Sequence, residues 1–112
     1  MSASPLFVGI DVAKAELVIS LGPSSDLLTV SNDEGGIRHV LERLQTACPA
    51  LIVLEATGGY ETAAVAALAA AGLPVVVANP RQVRAFAKAL GKLAKTDSID
   101  AHVLALFAER VR

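Results

Sequence analysis

The rhythm of the apolar residues changes a third of the way along the chain, and that change restricts the fold more than any other feature. Leu6-Phe7-Val8-Gly9-Ile10, Glu16 to Leu21 and Leu27-Leu28-Thr29-Val30 are short apolar runs separated by only a few residues, the second gap being the turn Gly22-Pro23-Ser24-Ser25. Links this short join antiparallel strands, because a parallel pair needs a crossover of about a dozen residues or more. From Asn32 onward, helix and strand patterns alternate. Ile37, Val40, Leu41 and Leu44 form the stripe of a helix packed on a sheet. Asn32 reads as its N-cap, Asp33 and Glu34 complement its dipole, and Cys48-Pro49 ends it. Leu51 to Glu55 is the continuous apolar run of a strand covered on both faces.

The alternation continues to the last residue. Thr57-Gly58-Gly59 turns the chain into an alanine-rich helix that stops near Gly72, and Pro74 to Ala78 reads as the next strand. Asn79-Pro80 supplies the N-cap and first residue of another helix, with Val83, Phe86, Ala87 and Leu90 as its buried stripe and Gly91 as its stop. A last helix is expected from about Asp97, with Ile99, Val103, Leu106 and Phe107 facing inward. The order βββαβαβα describes a three-stranded meander extended by parallel crossover strands. This is a mixed α/β arrangement of the ribonuclease H-like kind, with the first strand central and the fourth beside it.

At 112 residues the chain suits one domain, and 54% hydrophobic against 19% charged residues provides for a core and argues against disorder. No apolar stretch approaches the roughly 20 residues of a membrane span, and residues 1–5 lack a basic, signal-like start. The single cysteine, Cys48, excludes an internal disulfide, makes a zinc-finger site untenable and reads as a small buried apolar residue. A cytoplasmic protein with no membrane role is the simplest expectation. The net charge of −1 hides polarity: Arg81, Arg84, Lys88, Lys92 and Lys95 follow one another with no acid between them.

Four carboxylates stand where carboxylates are out of character. Asp11 interrupts the first apolar run, Glu55 ends the fourth, and Asp97 and Asp100 sit three apart at the expected start of the last helix. An ionised carboxylate beside a core is costly unless it is paired or holds a metal. In the expected fold, Asp11 and Glu55 end at one edge of neighbouring strands, and a helix with acids on its first turn can close over that edge. Such a cluster suits Mg²⁺ or Mn²⁺, and paired cations about 3.5–4 Å apart serve phosphodiester chemistry. Blander readings stand beside this one: Asp97 as an N-cap with Asp100 completing a capping box, and Glu55 as a strand-end partner of Arg or Lys. The five basic residues form either a phosphate-binding ridge, if helix continues past Gly91, or a solvated face. Lys14 is either a phosphate contact or an exposed turn residue. His39 and His102 read as surface or core histidines, and Tyr60 as a packing residue or one holding a hydroxyl hydrogen bond.

Gly9-Ile10-Asp11-Val12-Ala13-Lys14, Glu55-Ala56-Thr57-Gly58-Gly59-Tyr60 and Lys95-Thr96-Asp97-Ser98-Ile99-Asp100-Ala101 together resemble the N-terminal domain of the DEDD insertion-sequence transposases. That family is related to the Piv-type invertases, and its domain is similar to the Holliday-junction resolvase RuvC. The resemblance implies that Asp11, Glu55, Asp97 and Asp100 are the metal-holding tetrad of a domain for DNA cleavage and strand transfer. It also implies DNA as partner, a structured guide RNA for some members, and a homo-oligomer at full length. Family members are about three times as long and carry a second domain with a nucleophilic serine. The expectation is therefore a single domain over residues 1–112 without that serine domain, and Ser98 does not match the family's serine motif. Three rivals remain open: a free-standing RuvC-like junction nuclease, a nucleotide-binding domain of the actin and sugar-kinase type, and a non-catalytic nucleic-acid-binding module.

Overall fold

In the computed structural model, residues 5–22, 27–91 and 100–111 are described. Their elements run β1 (Phe7–Val12), β2 (Glu16–Ser20), β3 (Leu27–Ser31), α1 (Glu34–Ala47), β4 (Leu51–Glu55), α2 (Thr62–Ala70), β5 (Val75–Ala78), α3 (Pro80–Ala89) and α4 (Ala101–Val111). The five strands form one sheet in the order β3-β2-β1-β4-β5. β1, β2 and β3 pair antiparallel as the short links require, whereas β4 pairs parallel with β1 and β5 parallel with β4. The expected mixed α/β sheet is thus present, with β1 at its centre and β4 beside it.

Strand alternation assigns each face its helices. Val8, Ile10 and Val12 of β1, with Ile52 and Leu54 of β4, pack against Ile37, Val40 and Leu44 of α1 and Ala64 and Leu68 of α2. On the opposite face Val53 meets Val83 and Ala87 of α3 and Leu104 and Ala108 of α4. Phe86 and Phe107 close that side edge to face, with ring centroids 5.4 Å apart. Each fully buried Leu or Ile contributes about 1.5–3 kcal/mol through water exclusion. β4 is covered on both sides, as its unbroken apolar run requires.

Four expectations need correction. The N-cap of α1 is Asp33, whose carboxylate accepts from the Gly36 amide (2.9 Å) and from the Ser31 hydroxyl (2.8 Å). Asn32 is thereby released for another task. The buried face of α4 is Ala101, Leu104, Ala105 and Ala108, whereas Val103, Leu106 and Phe107 are only half-buried and Ile99 lies outside the described residues. The cause is the closeness of α4 to β1. A Cβ on Gly9 would collide with the Ala101 carbonyl, the Ala105 amide nitrogen and the Leu104 Cβ, so only small residues fit at the contact and bulky ones move to its rim. In α3, Val83 and Ala87 are buried but Leu90 is exposed, because the helix stops before it with Gly91 at φ +69°. Cys48 is exposed rather than buried, since it occupies the left-handed C-cap of α1 at φ 52° and donates its amide to Leu44.

Candidate functional site

Parallel register brings the first two carboxylates together. Ile10 lies opposite Leu54, so the next residues, Asp11 and Glu55, come side by side on the face that carries α3 and α4. The third arrives with α4, whose approach over Gly9 sets Asp100 above the end of β1. Asp100 caps that helix: its carboxylate accepts from the Val103 amide at 2.9 Å. A carboxylate offers about four acceptor positions, so capping leaves capacity to spare. Asp97 lies outside the described residues.

Electrostatics tie the three together. Burial pushes the Asp11 carboxyl above its ordinary value, and the charges of Asp100 and Glu16 push it the same way. Burial likewise raises Glu55, with Asp11 adding to the rise and the Arg84 guanidinium opposing it. Glu16, on the strand next to β1, is an acid the sequence reading did not single out. Its signal was available, because residues 16 and 18 share a face and Val18 pairs with Asp11. Among the described residues of the basic series, Arg84 reaches Glu55 electrostatically, in keeping with the strand-end pairing considered for Glu55.

Arg81 and Lys88 are exposed on α3 and Arg84 is half-buried, whereas Lys92 and Lys95 lie outside the described residues. α3 ends at Ala89 ahead of Gly91, so this helix carries Arg81, Arg84 and Lys88 of the basic series. Lys14 is exposed in the turn after β1, Tyr60 is 49% exposed on the loop after β4, and His102 is half-buried.

A divalent cation would meet a suitable donor set here. Carboxylate oxygens are the ligands that Mg²⁺ and Mn²⁺ prefer, and the half-buried Asp11 and Glu55 repel one another in a way that a cation would relieve. Among the described residues, no group of three His, Cys, Asp or Glu side chains is drawn close enough to hold a metal ion. Asp11 feels the charge of Asp100, and Glu55 that of Asp11, without the three closing into a three-ligand shell.

The loops bordering these carboxylates are bound tightly. Glu61 Oε1 accepts from the Thr57 amide (3.0 Å), the Thr57 hydroxyl (3.0 Å) and the Gly59 amide (3.1 Å), closing the loop after β4. Asn32 Nδ2 donates to the carbonyls of Ala13 (2.8 Å) and Tyr60 (3.1 Å), and its amide donates to Ala15 (3.0 Å). Neither residue was marked as part of the site by the sequence.

A family model described as a transposase, the IS110-type DEDD group, matches residues 8–112. The chain belongs to that family. Among solved structures, this transposase-family domain is similar to RuvC of Thermus thermophilus, with 21% identity, 90% of each chain covered and a TM-score of 0.61. It is also similar to the Fowlpox virus resolvase, solved with its substrate Holliday junction DNA. There the identity is 13%, the coverage 95% of this chain and 98% of the other, and the TM-score 0.54. At such identities the likeness establishes the shared ribonuclease H-like fold. No match was found among curated proteins. By family, the chain is a DNA transposase or nuclease domain. No helix among the described residues is long and apolar enough to cross a membrane.

Proposed function

We propose that this domain binds divalent metal through Asp11, Glu55, Asp97 and Asp100 and uses it in the DNA cleavage and strand transfer of transposition. The observation that carries the reading is the side-by-side placement of Asp11 and Glu55 at the ends of adjacent parallel strands, with the Asp100 charge felt at Asp11. Bound Mg²⁺ or Mn²⁺ would supply charge stabilisation at the scissile phosphate. The chain's own residues do the rest. Arg81, Arg84 and Lys88 receive the DNA backbone on α3, with Lys14, Lys92 and Lys95 extending the track. Asp100 caps α4 and keeps acceptor capacity free for a cation shared with Asp11. In this reading residues 1–112 are the metal-binding domain of a longer enzyme, with DNA, a structured guide RNA and a second copy of the chain as partners.

A free-standing junction nuclease is the second reading, favoured by the likeness to RuvC and to a resolvase solved with its substrate Holliday junction DNA. Robust Mg²⁺-dependent cutting of a four-way junction by the isolated chain would promote it.

Thermal unfolding with and without metal tests the site. A ligand confined to the native state adds about 2.7 kcal/mol at a hundredfold excess over its Kd, so Mn²⁺ or Mg²⁺ should raise the melting temperature by roughly 10 °C. Asp11→Asn should abolish that rise while the domain still folds. A melting temperature indifferent to metal up to millimolar concentrations would sink the reading.

A further inference from the structure

The two strands that carry Asp11 and Glu55 run on into separate loops, whose first residues, Ala13 and Ala56, donate to Glu16 of β2 and Ala78 of β5 and not to one another. Asn32 joins them. One hydrogen of its amide nitrogen goes to the carbonyl of Ala13, two residues beyond Asp11, and the other to the carbonyl of Tyr60, in the loop that follows Glu55. Its main-chain amide holds Ala15 on the far side of the first loop. Bridging two carbonyls from one atom requires a nitrogen with two hydrogens on a short stem, which at this position asparagine supplies and aspartate, serine or alanine does not.

The loop on the Glu55 side is made stiff enough to transmit the tie. Gly58 and Gly59 adopt positive φ, at 75° and 116°, and Glu61 gathers the Thr57 and Gly59 amides and the Thr57 hydroxyl on one oxygen. The position of Tyr60 is therefore coupled to that of Thr57, two residues from Glu55. Asn32 in turn sits immediately before the Asp33 cap, where Ser31 and Gly36 anchor the start of α1. The tie thus hangs from a fixed point of the fold.

We propose that Asn32 is a positioning residue of the carboxylate site: its amide locks the loop after β1 to the loop after β4 and so sets how Asp11 and Glu55 face one another. The assignment rests on the metal reading above. Asn32 acts through the two loops.

Two measurements on Asn32→Ala and Asn32→Asp test it. The aspartate keeps the shape and loses both donated hydrogens. Mn²⁺ affinity, read by titration calorimetry, should fall about 10-fold to 100-fold in either variant, the usual effect of removing a group that orients ligands. In EDTA, backbone order parameters of Ala13–Ala15 and Gly58–Tyr60 should drop from the rigid range near 0.85 toward about 0.6, while β1 and β4 stay rigid. Unchanged Mn²⁺ affinity, or unchanged loop order, would overturn the proposal. If the unmodified chain binds no Mn²⁺, the metal reading fails and so does a metal-positioning role, whereas the tie between the loops is judged on order parameters alone. If one variant fails to fold, the other carries both measurements.

Discussion

At the scale of single residues, the acids divide into two groups of opposite sign. Glu61 is held down to about 2 from its ordinary 4.5, chiefly by its own amide and then by Thr57 and Gly59. Its unfolded form binds protons more readily, so the stability it contributes is complete above about 4.5 and fades as pH falls toward 2. Asp11 and Glu55 are raised by burial and like charge, so ionising them costs the fold. Without metal, stability therefore declines as pH rises from their ordinary values through their raised ones. Urea unfolding in EDTA should show both limbs. Glu61→Gln should flatten the acid limb, and Asp11→Asn should raise the metal-free melting temperature at pH 7 by a few degrees. If Asp11→Asn lowers it instead, the carboxylate is paired within the fold rather than crowded.

Gly9 makes the case at the scale of elements. Both the docking of α4 and the arrival of Asp100 depend on a backbone approach that a single methyl would obstruct. Overpacking a tight contact costs about 1–3 kcal/mol, and here the obstacles include backbone atoms that cannot rotate away. Gly9→Ala should cost at least that in urea unfolding, selectively accelerate amide exchange in α4, and remove most of the metal-dependent gain. Stability and exchange like those of the unmodified chain would show that α4 does not sit as closely as described. The same contact explains why the inward face of α4 was misread. Periodicity ranks residues by hydrophobicity, which favours Val103 and Phe107, whereas a helix laid on glycine ranks them by size. The bounds of α3, by contrast, were readable from local chemistry. Asn79 accepts from the Arg81 amide at 2.8 Å with Pro80 behind it, and Gly91 ends the same helix. The last helix, expected from about Asp97, starts at Ala101 under the Asp100 cap.

At the scale of the whole molecule, the basic face of α3 and the carboxylates lie on the same side of the sheet. If both engage one DNA, binding should depend on salt and not on sequence. Replacing Arg84 and Lys88 together with alanine should lower the slope of log K against log salt by about 0.9 per lost phosphate contact. An unchanged slope would leave α3 as a solvated face. Assayed alone, the 112-residue chain should show no strand exchange between donor and target DNA, with weak nicking in Mn²⁺ at most. Strand transfer requires a nucleophile held in line with the phosphate, and no serine here matches the family's motif. Completed exchange by this chain would refute that.

What the sequence determined by itself was the inventory of elements, their order and the two carboxylates of β1 and β4, because apolar period, caps and turn residues act over a few neighbours. Strand order followed from the same information, since short links enforce antiparallel pairing and long ones a parallel crossover. Only the tertiary structure decided which residues meet across the fold. Asn32 looked like a helix cap, and becomes a tie between two loops once Asp33 takes the cap. Glu61 carries no local signal of its role, which comes from the Gly58-Gly59 turn folding amides onto it. Arg84 acts on Glu55 only because α3 packs back over the end of β4. Asn32 meets residues 19 and 28 positions away, and Glu61 meets residues four and two positions away across a glycine turn; no apolar period records either.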